Sequence, residues 1–433
     1  MKLALSGGKP IRTRQYPQWP EVDQGDVRSV ESVVKSGKWW LYAYSKDEFA
    51  MSGEEGTSRV EAFEKAFAEL HHVRFAYATS SGTASLEIAC RAIGLKPGDE
   101  VITTPYTFVA TSTCILNAAA IPVYVDIDPL TYNLDARLVE RAITSRTRAI
   151  IPVHFGGVFA DMDTLREIAA AHHLKIIEDA AHSHGASLKV NRWAGTLGDI
   201  AIFSLQESKL LTAGEGGLIT TNDEELAEQS WSLRHCGRSR AGKWYEHERV
   251  GWNSRMTELQ GALLLSQLSK LDGQNARRRR NAQVLSRGLA GIPGITPNPQ
   301  HPQTENDVYY LLCLRYDSAR WDDIPRGRVV KALNAEGIPV TEGYCFPLYE
   351  NPLYHNVAFN APGSPYLTGR SSPIPDFRAY RETCPVTERA CRSEALWVAQ
   401  NLLLGKEEDA EDIVRAFQKL FENRAELRTK GEG

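Results

Sequence analysis

The chain has 433 residues, of which 42% are apolar and 24% charged, so a packed globular protein is expected and disorder is not. Lys and Arg number 50 against 54 Asp and Glu, a net charge of −4. That balance argues against a nucleic-acid partner, which needs an excess of cations.

The N-terminal stretch MKLALSGGKPIR lacks the long apolar core of a secretory signal. Residues 1–60, with Trp39 and Trp40, read as an extended arm with short helices. From residue 60 helix and strand patterns alternate. Val60–Leu70 reads as an amphipathic helix and Phe75–Thr79 as a short apolar strand. Ser80-Ser81-Gly82-Thr83 then opens a helix over Ala84–Ile93, with hydroxyls placed to cap it.

Further strand patterns fall at Glu100–Thr103, Pro122–Val125, Ala149–Pro152, Lys175–Ile177, Ile200–Phe203 and Gly217–Thr220. A helix is expected over Met162–Ala171. The strands are apolar without alternation, which implies burial on both faces and a mostly parallel sheet between helices. Residues 101–125 carry no charge, but Pro105, Pro122 and six Thr or Ser argue against a membrane span. They read as a buried strand, a turn, a core helix and the next strand.

Glu258–Leu289 reads as a long helix, broken or kinked near Gly273. Arg277-Arg278-Arg279-Arg280 within it reads as a solvated face rather than an anion patch. After Pro293 a smaller α+β domain is expected, with a strand near Val308–Leu314 and a polar, frayed last dozen residues. The organisation is thus an arm over 1–60, a large domain over 61–270 and a small domain over 271–433. The seven cysteines, Cys90, Cys114, Cys236, Cys313, Cys345, Cys384 and Cys391, are scattered and odd in number. They suit a reducing cytoplasm and form no zinc or disulfide pattern.

Three segments carry chemistry. Ser81-Gly82-Thr83 at a strand-to-helix turn offers backbone N–H groups and a helix dipole to an anion, or is simply a cap. In EDAAHSHG, Asp179 ends a buried apolar strand, where α/β folds bind ligands. A helix N-cap explains it equally well. His182 and His184 have a spacing compatible with metal, but the sequence holds no third ligand cluster, so no metal is expected. In FSLQESKLLTAGEGG, Lys209 occupies a small-residue loop between apolar strands. A desolvated, imine-forming amine and a solvated loop lysine are equally consistent with that spacing.

Taken together, SSGTASL, EDAAHSHG, FSLQESKLLTAGEGG and GWNSRMTELQGA resemble the DegT/DnrJ/EryC1/StrS family of pyridoxal-phosphate (PLP) dependent sugar and cyclitol aminotransferases. The likeness spans roughly residues 16–415 in family order. It implies the aspartate-aminotransferase-like α/β fold, fold type I, and a homodimer with shared active sites. It further implies that Lys209 forms the Schiff base with PLP and that Asp179 pairs with the pyridinium nitrogen. Gly82, Thr83 and Ser204 then hold the phosphate, and Phe108 stacks on the ring. Asn253 reaches the partner subunit's phosphate, and His182 stands where many members have Gln. On residue pattern alone, Phe108 and Asn253 read as packing and capping.

The Lys209 segment, Trp39-Trp40 and the CPVTER stretch from Cys384 resemble the branch acting on cyclitol ketones, the glutamine:scyllo-inosose and 2-deoxy-scyllo-inosose aminotransferases. Residues 43–52 read as an insertion near the substrate mouth. Trp40, Gln206, Arg255 and Tyr310 are candidate substrate contacts, with packing as the alternative for each. Three alternatives stay open: a nucleotide-keto-sugar aminotransferase, a dehydratase or aromatising enzyme of the aminohydroxybenzoate type, and a PLP-binding regulator. The last lacks a helix-turn-helix segment or basic face.

Overall fold

The structure, a computed structural model, describes residues 2–44, 58–243, 245–355 and 376–428. The insertion read over residues 43–52 lies, from residue 45 on, outside the described residues. The strands in chain order are β1 (Phe75–Thr79), β2 (Glu100–Thr103), β3 (Ile121–Tyr124), β4 (Thr147–Ile151), β5 (Lys175–Asp179), β6 (Ser187–Leu188), β7 (Arg192–Trp193), β8 (Ile200–Ser204), β9 (Gly217–Thr221), β10 (Ile295–Pro297), β11 (Thr304–Asn306), β12 (Leu311–Tyr316) and β13 (Ala395–Ala399).

Seven strands form one sheet in the order β1-β9-β8-β5-β4-β2-β3. β3, β2, β4, β5 and β8 are mutually parallel. β9 runs against both β8 and β1, so six strands share a direction and β9 opposes them. The reason is local. Parallel neighbours need a crossover helix, whereas β8 and β9 are joined directly by residues 205–216. That hairpin connection carries Lys209.

Alternate residues of the strands enter two different cores, as the pleat requires. Ile102, Ile150, Ile176, Phe203 and Leu218 pack with Phe63, Phe67, Leu165 and Leu264 of the helices Arg59–Leu70, Met162–His172 and Glu258–Leu289. Val101, Ala149, Ile151, Ile177, Ile202 and Ile219 pack with Leu86, Ile115 and Leu233 of Gly82–Ala92, Ala110–Asn117 and Glu224–Arg234. A sheet with both faces covered explains why its strands read as unbroken apolar runs.

The helix Glu258–Leu289 is one continuous element of 32 residues, with no break at Gly273. Gly273 is exposed and open on all sides. Its cost of about 1 kcal/mol in a helix is outweighed by burial of Leu264 and Leu271 in one core and of Leu285 and Leu289 in another. Each fully buried leucine contributes roughly 1.5–3 kcal/mol. The second core, around Trp321, Phe417 and Leu420, backs the sheet β10-β12-β13.

The arm is more anchored than its sequence implies. Leu3 is buried in the second core, and Arg12 pairs with Asp409 and Asp412 at 2.7 and 2.8 Å. Residues Gln24–Ser36 form a helix capped by Asp23. The chain end is also held as far as residue 428: Leu427 is buried, and Arg424 and Arg428 both pair with Asp322. Among the described residues no helix is long and apolar enough to cross a membrane.

Candidate active site

A cavity of about 530 Å³ opens at the C-terminal ends of β5 and β8. Gly82, Thr83, Phe108, Asp179, His182, Ser204, Gln206, Lys209 and Tyr310 all line it, and Tyr344 and Trp397 close its far wall. Of the candidates read from sequence, Trp40, Arg255 and Asn253 are not part of this lining.

At one end lies the start of the helix Gly82–Ala92. Ser81 caps it by accepting the Ala84 N–H at 3.0 Å. The Gly82 and Thr83 N–H groups have no partner within the helix, and both residues line the cavity. Ser204, the last residue of β8, closes against this turn. A Cβ on Gly82 would sit 2.8 Å from Ser204 Cβ and 3.1 Å from its Oγ, so the approach requires glycine.

Two consecutive carboxylates end β5 and point to opposite faces. Glu178 is saturated: it accepts from the Gly195, Leu197 and Gly198 N–H groups and lies 3.0 Å from His154 Nε2. His154 Nδ1 accepts the Ala160 N–H at 3.2 Å, which leaves Nε2 as donor. Asp179 is 4% exposed and faces the cavity. It accepts the Thr111 hydroxyl at 2.8 Å and the Ala181 N–H at 3.2 Å. Burial pushes its carboxyl above the usual range, with Thr111 and Ala181 opposing. A carboxylate so placed calls for a cationic N–H partner.

On the other side Lys209 lies with Nζ 4.3 Å from the Tyr310 ring centroid. Tyr310 also stacks on His182 at 4.1 Å and shares a 2.9 Å hydrogen bond with Ser208 Oγ. Gln206 Oε1 accepts from both the N–H and the hydroxyl of Ser208. His182 Nδ1 accepts the Gly156 N–H at 3.2 Å, which fixes Nε2 as the protonated nitrogen. Burial, and next the charge of Lys209, lowers the His182 pKa well below the ordinary value and keeps the ring neutral. His184 packs instead against Phe203 and Phe67, so the two imidazoles have different surroundings.

Phe108 is 58% exposed although it lines the cavity, leaving its ring free to stack. Arg255 donates to His235 Nδ1 at 2.9 Å, and its guanidinium lies 6.0 Å from the Trp40 ring centroid. Asn253 is exposed and bridges His235 through its backbone. Sequence reasoning missed Thr111, Ser208, Tyr344 and Trp397. Thr111 had a usable signal, since it follows Thr107 by four residues at the start of a helix, and the two hydroxyls are 3.0 Å apart. The other three come together only through the tertiary fold.

The mostly parallel sheet with helices on both faces is the architecture of the fold-type-I aminotransferases. Residues 45–373 match the DegT/DnrJ/EryC1/StrS aminotransferase family, and the chain belongs to that family. A relative from Streptoalloteichus tenebrarius, provisionally named an L-glutamine:3-amino-2,3-dideoxy-scyllo-inosose aminotransferase, is 38% identical over 99% of both chains. The L-glutamine:2-deoxy-scyllo-inosose aminotransferase of Micromonospora echinospora is 39% identical over 98% of this chain and 99% of its own. The crystal structure of 3-amino-5-hydroxybenzoic acid synthase superposes with a TM-score of 0.80 at 30% identity, covering 96% of this chain and 100% of that one. The cofactor is PLP. The cavity fits it: an anion turn at one end, a carboxylate awaiting a cationic N–H at the other, and a free aromatic face between.

Proposed function

We propose that this aminotransferase moves the amino group of L-glutamine to a keto-cyclitol, with Lys209 and Asp179 at the centre of its site. The observation that carries the assignment of these two residues is their convergence on one cavity from the ends of β5 and β8. Among the described residues Asp179 there accepts only from the Thr111 hydroxyl and the Ala181 N–H, both neutral. The donor and acceptor rest on what the relatives are named to act on. The lining supports a neutral polyol, since Gln206, Ser208, Tyr310 and Tyr344 offer amide and hydroxyl groups to ring hydroxyls.

Bound PLP supplies an electron sink for charge developing at the substrate's α-carbon. Asp179 holds the proton on the ring nitrogen, and Thr111 and Ala181 orient the carboxylate. The Gly82 and Thr83 N–H groups and the Ser204 hydroxyl grip the phosphate. Phe108 would stack on the cofactor ring, and His182 would contact the cofactor face. Lys209 holds the cofactor covalently through Nζ. Nζ would also be the base that accepts and returns the substrate's α-carbon proton. Gln206 and Tyr310 contact the substrate.

The proposal extends to a cytoplasmic homodimer in which Asn253, Trp40 and Arg255 serve the partner's site. Exposed Tyr245, Val250 and Trp252 along the same segment support an interface there. An arm over 1–60, a large domain over 61–270 and a small domain over 271–433 make up each subunit. Mixing Lys209→Ala subunits with Asn253→Ala subunits should restore activity that neither variant has, because one site per mixed dimer is intact. No recovery after subunit exchange would remove the shared-site arrangement.

Gly82→Ala should weaken PLP binding by roughly five- to 150-fold, the equivalent of about 1–3 kcal/mol of overpacking, as measured by titrating apo-protein with PLP. The acceptor is tested by incubation with L-glutamine and either scyllo-inosose or a dTDP-keto-sugar, with amine products followed by mass spectrometry. Amination of the cyclitol is expected. Amination of the nucleotide sugar alone would replace the acceptor, and a dehydrated or aromatic product without glutamine consumption would replace the reaction.

A further inference from the structure

The run Arg277-Arg278-Arg279-Arg280 is not the solvated face that its sequence suggests. Only Arg280 is exposed. Arg277 pairs with Glu21, and Arg279 pairs with Asp307 at 2.5 Å. Arg278 is fully buried. Its Nε and Nη2 donate to Gln400 Oε1 at 2.9 and 2.6 Å, and Nη1 donates to Asn275 Oδ1 at 2.9 Å. The guanidinium carbon lies 4.9 Å from the Trp19 ring centroid. Burial lowers its pKa to about 9, so it remains a cation at neutral pH, held by two amide oxygens and an aromatic face.

Both flanking groups lead to the active site. Trp19 Nε1–H donates to the Glu207 carbonyl at 2.7 Å, two residues before Lys209. Asn275 Nδ2–H donates to the His184 carbonyl at 3.0 Å, two residues after His182. Asn275 Nδ2 is also only 3.1 Å from where a Cβ on Gly185 would lie, so the loop after β5 is seated closely on this amide. Gln400 follows β13, which carries Trp397 of the far cavity wall.

We infer that Arg278 is a positioning residue that sets the loops of Lys209 and His182 relative to each other, through Trp19 and Asn275, and ties both to the cavity wall behind β13. A rigid planar guanidinium suits this task, because its edge fixes Asn275 and Gln400 by hydrogen bonds while its face holds the Trp19 ring. An apolar side chain of similar size would fill the space without fixing either loop. The inference rests on the role proposed for Lys209.

Trp19→Phe is the main test, since it keeps an aromatic ring, though a smaller one, against Arg278 and removes the N–H donor. Asn275→Ala and Arg278→Lys complete the set. Amide hydrogen exchange is followed in full-length holoenzyme, with kcat and KM measured on the same preparations. Trp19→Phe should raise exchange over residues 205–216 by roughly tenfold and lower kcat by about tenfold, with KM for the amino donor within about twofold of the parent. Asn275→Ala should raise exchange over residues 180–186 instead. Arg278→Lys, if it folds, should raise both.

Parental exchange over 205–216 in Trp19→Phe overturns the inference. So does raised exchange with unchanged kcat, or an equal rise across the whole chain with a lower Tm. Borohydride capture of PLP on residue 209 in the same samples does not depend on Trp19. It therefore shows whether a failure belongs to the tether or to the lysine assignment.

Discussion

Replacing Lys209 by alanine is expected to leave a folded protein that no longer binds PLP covalently and whose kcat falls by at least about 10⁴-fold, because one change removes both the anchor and the base. Folding should survive. The hairpin connection is held by backbone bonds, Glu207 N–H to Gly214 and Lys209 N–H to Gln206, that do not use the side chain. What the substitution removes is the approach of Nζ to the Tyr310 ring. Borohydride reduction followed by peptide mass analysis should find the cofactor on residue 209 in the parent and on no lysine in the variant. Cofactor mass retained on another lysine would move the chemistry elsewhere in the chain.

Asp179→Asn is the second large effect, an expected loss of about 10³-fold in kcat, since a neutral amide cannot hold charge on the ring nitrogen. The same substitution should stabilise the apo-protein at neutral pH. Burial raises the folded-state pKa of Asp179, so above the unfolded value near 3.9 the native state binds more protons than the unfolded one. Stability of the apo-protein therefore falls as pH rises from that value through the folded-state pKa. Asparagine does not titrate, and the variant should lack this part of the decline. Denaturant midpoints measured against pH for both apo-proteins provide the check. Parallel curves would mean that Asp179 is not the uncompensated group the geometry describes.

The seven main strands are legible in the sequence because burial on both faces writes itself as an apolar run. Lys209 and Asp179 stand out only through the joint motif resemblance, since on pattern alone a solvated loop lysine and a helix N-cap explain them equally well. Other features depend on residues distant in sequence. Gly273 suggests a break, but the helix it sits in is held by two separate cores. Arg278 is indistinguishable in sequence from Arg280, and only the placement of Trp19 and Gln400, far away along the chain, makes one buried and the other solvated. Trp40 and Arg255 read as substrate contacts, yet they lie beside each other outside the cavity lining, with Arg255 bonded to His235. Asp179 and Glu178 are adjacent acids, and only the pleat and three N–H donors from residues 195–198 separate the structural one from the one facing the site.

The antiparallel strand has a consequence for how the chain is made. β1 is the first strand of the main sheet to leave the ribosome, and its partner in that sheet is β9, with Phe75 opposite Thr221 and Thr79 opposite Gly217. For the time needed to add the intervening residues, β1 is an unpaired apolar edge, open to pairing with other nascent chains. The central parallel strands can assemble meanwhile, but the anion turn that follows β1 takes its final position only when β9 arrives. Nascent fragments ending before residue 217 should therefore be sensitive to aggregation, and synthesis past residue 221 marks the earliest moment at which the cofactor cradle can exist.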